Sequence, residues 1–163
     1  MRGIRRQNGE AGGGLIEFAI SLVLILTVLF GIIDVGRAMY AYDWVANAAR
    51  KGTRFMIVRG TGCANNPMPL LGGCPATATD SLNYITNANG NGLDITGIDP
   101  SQVQVNTLCF ATNTVARLPP CAPDGGYVQV RVTYTFKFIT PFLAAAFPSG
   151  VPMTSTSKVV VQN

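Results

Sequence analysis

Glu17 is the first residue to question, because it stands alone at the head of a run of sixteen uncharged residues, FAISLVLILTVLFGII. An ionised acid at the centre of a membrane span costs about 2.5–3.5 kcal/mol and less near the interface, so its position needs a reason. Two readings are open. An acid at a helix N-terminus is favoured by the helix dipole and stays near enough to headgroups to be hydrated. The other reading rests on the glycines before it: a cut between Gly12 and Gly13 makes Glu17 the fifth residue of the shortened chain.

The cysteines are the second set. Cys63 and Cys74 have ten residues between them, and Cys109 and Cys121 have eleven. In an exported domain such local pairs read as two disulfides, Cys63 with Cys74 and Cys109 with Cys121, with two other connectivities open. Each loop would stabilise the fold by about 3 kcal/mol. Zinc is the alternative, but it wants cysteines two to four residues apart, which this chain lacks. With no histidine in the sequence, Ser-His-Asp and Cys-His nucleophile pairs and His-ligated zinc are excluded. Asp94 and Asp99, beside Gly97 and Pro100, read as turn formers rather than paired acid and base, and offer too few ligands for calcium. No catalytic residue, metal or cofactor is expected, and the chain does not read as an enzyme.

The elements that position these residues begin with a membrane span. The 163 residues are 48% hydrophobic and 12% charged, with a mean hydropathy of +0.30, about half the charge of an ordinary soluble protein. Residues 15–33, bounded by Leu15 and Ile33, form a helix about 28 Å long, close to the hydrocarbon thickness of a bilayer. Arg2, Arg5 and Arg6 precede it, so the positive-inside rule keeps a basic leader, residues 1–12, in the cytoplasm and sends the C-terminal part outward. A cleaved signal peptide would end in a small-x-small site before a domain of different character. Here the helical pattern continues instead: Val35, Ala38, Met39, Tyr42, Val45, Ala46, Ala49 and Met56 recur at helical spacing, with Arg37, Asp43, Asn47, Arg50 and Arg54 on other faces. The economical reading is one helix over 13–58, a span fused to an amphipathic half. Asp34 and Arg37, three apart, read mainly as an intrahelical ion pair.

From residue 59 onward the texture becomes rich in Gly, Pro, Asn and Thr, marking an extracytoplasmic domain, 59–163. Thr79 could cap a short helix ending near Gly90. Residues 102–110, 127–138 and 153–162 alternate as strands, the second with Val128, Val130, Val132, Tyr134, Phe136 and Phe138 inward. Residues 142–147 read as an apolar connection too short to span a membrane. The fold class expected is α+β: a long N-terminal helix whose outer half packs on a small antiparallel sheet, with disulfide-bonded loops. The net charge of +4 lies wholly in the first 59 residues, without a dense basic stripe, so nucleic acid is not an expected partner.

Glu17-Phe18-Ala19, Phe30-Gly31-Ile32-Ile33-Asp34, Gly36-Arg37, Tyr40-Ala41-Tyr42, Asn47-Ala48-Ala49-Arg50 and Gly52-Thr53-Arg54 follow one another in an order that resembles the N-terminal domain of TadE-like pilus-assembly proteins, within the type IV pilin superfamily. The resemblance covers roughly residues 13–58. It implies a single-pass protein of the inner (cytoplasmic) membrane, with a pilin-like outward domain. Such a protein acts as a minor pilin or pseudopilin of a Tad (Flp) pilus and is found in the membrane, the pilus or at the cell surface. The implied partners are membrane lipid, a prepilin peptidase, other pilin subunits and the Tad assembly platform. By the same resemblance Gly12 and Gly13 flank the scissile bond, with Gly13-Gly14 and Gly14-Leu15 as competing sites, and Glu17 is the acid that meets a neighbour's new N-terminal amine. Val23 stands where such proteins often carry proline. The alternative function class is a membrane-tethered binding or adhesion module that never enters a filament.

Overall fold

The computed structural model describes residues 11–59, 76–87, 90, 92–110, 116–117 and 126–160. Helix α1 (Ala11–Val58) runs unbroken for 48 residues, about 72 Å at 1.5 Å per residue. Nothing in its sequence breaks it: there is no proline, and straight-chain and small residues keep the backbone ladder intact. Along its first half the large apolar side chains, Leu15, Phe18, Val23, Leu24 and Ile33 among them, are exposed. Among the described residues this is the one helix long and apolar enough to cross a membrane.

The second half of α1 meets a four-stranded antiparallel sheet of β1 (Val103–Phe110), β2 (Ala116–Arg117), β3 (Tyr127–Phe136) and β4 (Val151–Val160), in the order β2-β1-β3-β4. Register runs from Val103 opposite Tyr134 to Phe110 opposite Tyr127, and from Tyr127 opposite Val160 to Phe136 opposite Val151. Helix α1 lies across β3 and β4, while α2 (Ala78–Ile85) covers β1. Between them Val45, Ala48, Ala49, Met56, Ile85, Val128, Val130, Val132 and Phe136 are fully buried. This is the α+β arrangement expected, with alternating residues of the central strand turned toward the helix.

One position fixes how closely these layers approach. A Cβ added at Gly52 would sit 2.7 Å from Ile85 Cδ1 and 3.2 Å from Val130 Cγ1. Glycine is therefore the residue that lets α1, α2 and β3 meet at one point.

Several elements differ from the sequence reading, each for a local reason. The cap of α2 is Thr77, not Thr79: its hydroxyl accepts from the Asp80 amide at 3.3 Å while Asp80 accepts the Thr77 amide at 2.8 Å, a reciprocal capping box. The helix then ends at Ile85, short of Gly90. Strand β2 is too short to show any alternation. Strand β4 starts two residues before Met153, because Pro152 is tolerated on an edge strand. The inward stripe of α1 is also rotated: Ala41, Trp44, Val45, Ala48 and Ala49 are buried, whereas Val35, Met39 and Tyr42 face outward. Small alanines permit close approach to the sheet, and Trp44 packs edge-on against Tyr134 with ring centroids 6.5 Å apart.

Residues 142–147, expected as an apolar connection with no element assigned, lie largely in helix α3 (Pro141–Ala146). Proline at the first helical position and three alanines after it favour a helical turn.

Candidate functional site

Two regions of α1 carry the residues singled out by sequence. At its start Gly12 and Gly13 are exposed, and Glu17 projects from an uncovered surface. Among the described residues no hydrogen bond or ion pair reaches Glu17, and Leu15 and Ile33 bound an apolar segment that the rest of the domain leaves bare. Glycine in a helix costs about 1 kcal/mol relative to alanine, so three in a row make the first turn easy to unwind.

The second region is the junction where the apolar segment ends. Asp34, the residue after Ile33, is only 1% exposed. Its Oδ2 accepts the Thr140 hydroxyl at 2.6 Å and the Thr140 amide at 2.8 Å. The Ile139 amide donates to both carboxylate oxygens, at 3.1 and 3.2 Å. Arg37 completes the set: its Nη1 donates to Oδ1 at 3.2 Å, and its guanidinium lies over the Phe136 ring, 5.2 Å from the centroid. Burial pushes the Asp34 carboxyl up, but the Thr140 hydroxyl, the Thr140 and Ile139 amides and the Arg37 charge outweigh it and hold the group below its ordinary pKa. The carboxylate is thus a charged acceptor that joins the end of β3 to the start of the sheet-packed half of α1. Strand β3 ends at Phe136 rather than Phe138, and the Ile139 and Thr140 amides beyond it are satisfied by Asp34.

Residues 12–54 match the TadE-like protein family. No curated protein and no solved structure matches the chain.

The TadE-like segment begins at the glycines, includes Glu17, the apolar run and Asp34, and ends two residues beyond Gly52. Its polar residues beyond the junction divide by role. Tyr40 donates its hydroxyl to the Thr96 carbonyl at 2.9 Å, and Trp44 donates its indole N–H to the Asp94 carbonyl at 2.8 Å, so both tie a loop of the C-terminal domain to the helix. Arg50 bonds along its own helix, to the Ala46 carbonyl and the Asn47 side chain, while Lys51 and Arg54 are exposed. They form a solvated face.

The loop acids behave as turn formers. Asp94 Oδ1 accepts the Thr96 hydroxyl at 2.6 Å and amide at 2.9 Å, and Asp99 Oδ1 accepts the Ser101 hydroxyl at 2.7 Å and amide at 2.9 Å. These hydrogen bonds hold both carboxyls below their ordinary pKa. No cluster of three metal-ligating side chains occurs among the described residues. Cys109 is buried near the end of β1 and takes part in a disulfide. Cys63, Cys74 and Cys121 lie outside the described residues, as do Arg2, Arg5 and Arg6.

Sequence reasoning missed the main role of Asp34. It identified the Arg37 ion pair, which exists, but not the turn that the carboxylate holds 105 and 106 residues away. The available signal was Thr140-Pro141, a capping residue before proline, next to the first charge after the apolar run.

Proposed function

We propose that the protein is a membrane-anchored component of a Tad (Flp) type pilus, acting as a TadE-like minor pilin or pseudopilin. The observation that carries this reading is the family match over 12–54 falling on a single helix whose first half is apolar and uncovered. An apolar helix surface of that length needs a lipid or protein environment, and a filament core supplies the second after the first.

In this reading the N-terminus faces the cytoplasm, held by Arg2, Arg5 and Arg6, and residues 59–163 lie outside the inner membrane. A prepilin peptidase cuts between Gly12 and Gly13 after unwinding the glycine-rich first turn. The new amine then pairs with Glu17 of a neighbouring subunit, since opposite charges in an apolar environment are best tolerated as a pair. The outward face formed by Val35, Met39 and Tyr42 extends the uncovered surface beyond the span and is available to other pilin subunits or the assembly platform. The local pairs Cys63 with Cys74 and Cys109 with Cys121 close the two loops of the outer domain.

Intact-mass analysis of the protein from cells with and without the prepilin peptidase tests the reading. Loss of residues 1–12 only when the peptidase is present is expected. A full-length chain in both strains would overturn the processing step.

A further inference from the structure

The connection between β3 and β4 carries an apolar surface that the fold leaves open. Ile139 is 61% exposed, Phe142 75% and Phe147 49%. Phe147 rests on Phe138 with ring centroids 5.7 Å apart, and Phe138 stands edge-on to Phe136 at 5.2 Å, so the connection is braced against the sheet while these apolar groups remain outside. Residues 138–157 contain no charged side chain at all.

Its place in the fold matters as much as its composition. Three contacts order α1 against β3: Gly52 faces Val130, Trp44 packs on Tyr134, and Arg37 covers Phe136. Strand β3 therefore descends as α1 rises, and its lower end arrives at Asp34, immediately after the apolar segment closes at Ile33. The hydrogen bonds from Ile139 and Thr140 to Asp34 fasten the connection there.

We propose that residues 139–147 are a second, peripheral membrane contact, lying in the interfacial layer of the outer leaflet beside the exit of α1, with Ile139, Phe142 and Phe147 inserted toward the acyl chains. The proposal rests on the reading of α1 as a membrane span. An uncharged, apolar element continuous with the bare surface of that span fits a bilayer boundary, where the apolar face of an interfacial helix is buried about 5–10 Å deep. Asp34 fixes its height, so that the outer domain stands on the membrane at two points rather than swinging from one helix. Exposed aromatic and branched side chains at a membrane-facing end are explained by this contact and are otherwise unfavourable in water.

Depth-dependent fluorescence quenching tests it. The full chain is reconstituted in phosphatidylcholine vesicles, with or without brominated acyl chains, as the Phe142→Trp, Leu24→Trp and Val159→Trp variants, using the wild type with its single Trp44 as the blank. The expected result is loss of the added emission for Leu24→Trp and Phe142→Trp and no loss for Val159→Trp, at the far end of β4. Quenching of Leu24→Trp without quenching of Phe142→Trp would overturn the peripheral contact while leaving the span. No quenching of either would overturn both. A Phe142→Trp emission that is shielded from bromine and shifts to the blue with rising protein-to-lipid ratio would assign the surface to a second copy of the chain and equally overturn the proposal.

Discussion

The Asp34 carboxylate accepts the Thr140 hydroxyl at 2.6 Å and the Thr140 amide at 2.8 Å, although the two residues are 106 positions apart. Thr140 occupies the N-cap position of α3, yet its side chain makes no bond to that helix. The hydroxyl is used for the long-range contact instead, and the short helix relies on Pro141 for its start. A single acid at the end of the apolar segment thereby sets where the sheet stands relative to the span.

This arrangement predicts unequal costs for the two partners in the ion pair. Hydrogen bonds to a charged group contribute about 1.5–3 kcal/mol, so Asp34→Asn should destabilise the C-terminal domain by about 2 kcal/mol and raise amide hydrogen exchange at Ile139 and Thr140. Arg37, with a side chain 39% exposed, contributes about 0–1 kcal/mol after solvent screening. Arg37→Gln should therefore leave the two amides largely protected. Equal effects of the two substitutions would reduce the junction to an ordinary surface ion pair.

The same junction carries a pH dependence of defined sign. The Asp34 carboxyl is depressed below its ordinary value of 3.8, so in the folded protein it binds its proton less readily than in the unfolded chain. Its contribution is fully present above the ordinary value and is lost as the pH falls through the folded value. Protection of the Ile139 and Thr140 amides should be constant from neutral pH down to about pH 5 and decline below about pH 4. In Asp34→Asn that acid transition should be absent. The amide-level readout is needed because Asp94 and Asp99 are depressed in the same direction and add to any global acid unfolding.

Two glycines of α1 should respond in opposite ways to alanine. Gly36 has open space around it, so Gly36→Ala should gain up to about 1 kcal/mol of helix propensity. At Gly52 the added methyl meets buried Ile85 and Val130, and overpacking of about 1–3 kcal/mol opposes the same gain. Thermal melting of the detergent-solubilised chain should rank Gly36→Ala above wild type and Gly52→Ala well below Gly36→Ala. Identical melting temperatures for the two variants would mean that the layers do not meet at Gly52.

Much of this architecture was legible in the residues themselves, because one apolar run and one alternation dominate it. Sixteen uncharged residues after Glu17 announce the apolar helix, and the alternation of Val128, Val130, Val132, Tyr134 and Phe136 announces the central strand. What escaped was whatever depends on a partner distant in sequence. Val35, Met39 and Tyr42 share helical spacing with the residues that are buried, but which stripe faces the sheet is decided by the fit of alanines and by Trp44 reaching the Asp94 carbonyl. Asp34 looked complete with Arg37 at hand, and nothing local revealed the amides of Ile139 and Thr140. At α2, by contrast, the cap is a local signal, Thr77 with Asp80 three residues on, two residues before the Thr79 expected.

Glu17 separates two physical roles. As a helix-start acid it contributes about 0.3–1 kcal/mol, and Glu17→Ala would leave assembly untouched. As the partner of a neighbour's amine it is required for incorporation but not for export or processing. Glu17→Ala should then be processed and exported normally while its amount in the pilus or assembly complex falls. Full recruitment of the variant would confine the residue to the first role.

Fractionation of sheared pili and of the detergent-solubilised assembly complex, probed for this protein in cells with and without the Tad assembly platform, decides whether it is a pilus component. The processed chain should co-purify with pili or with the assembly proteins, and its presence in those fractions should depend on the platform. A protein that stays in the membrane fraction, free of both and indifferent to the platform, would contradict it.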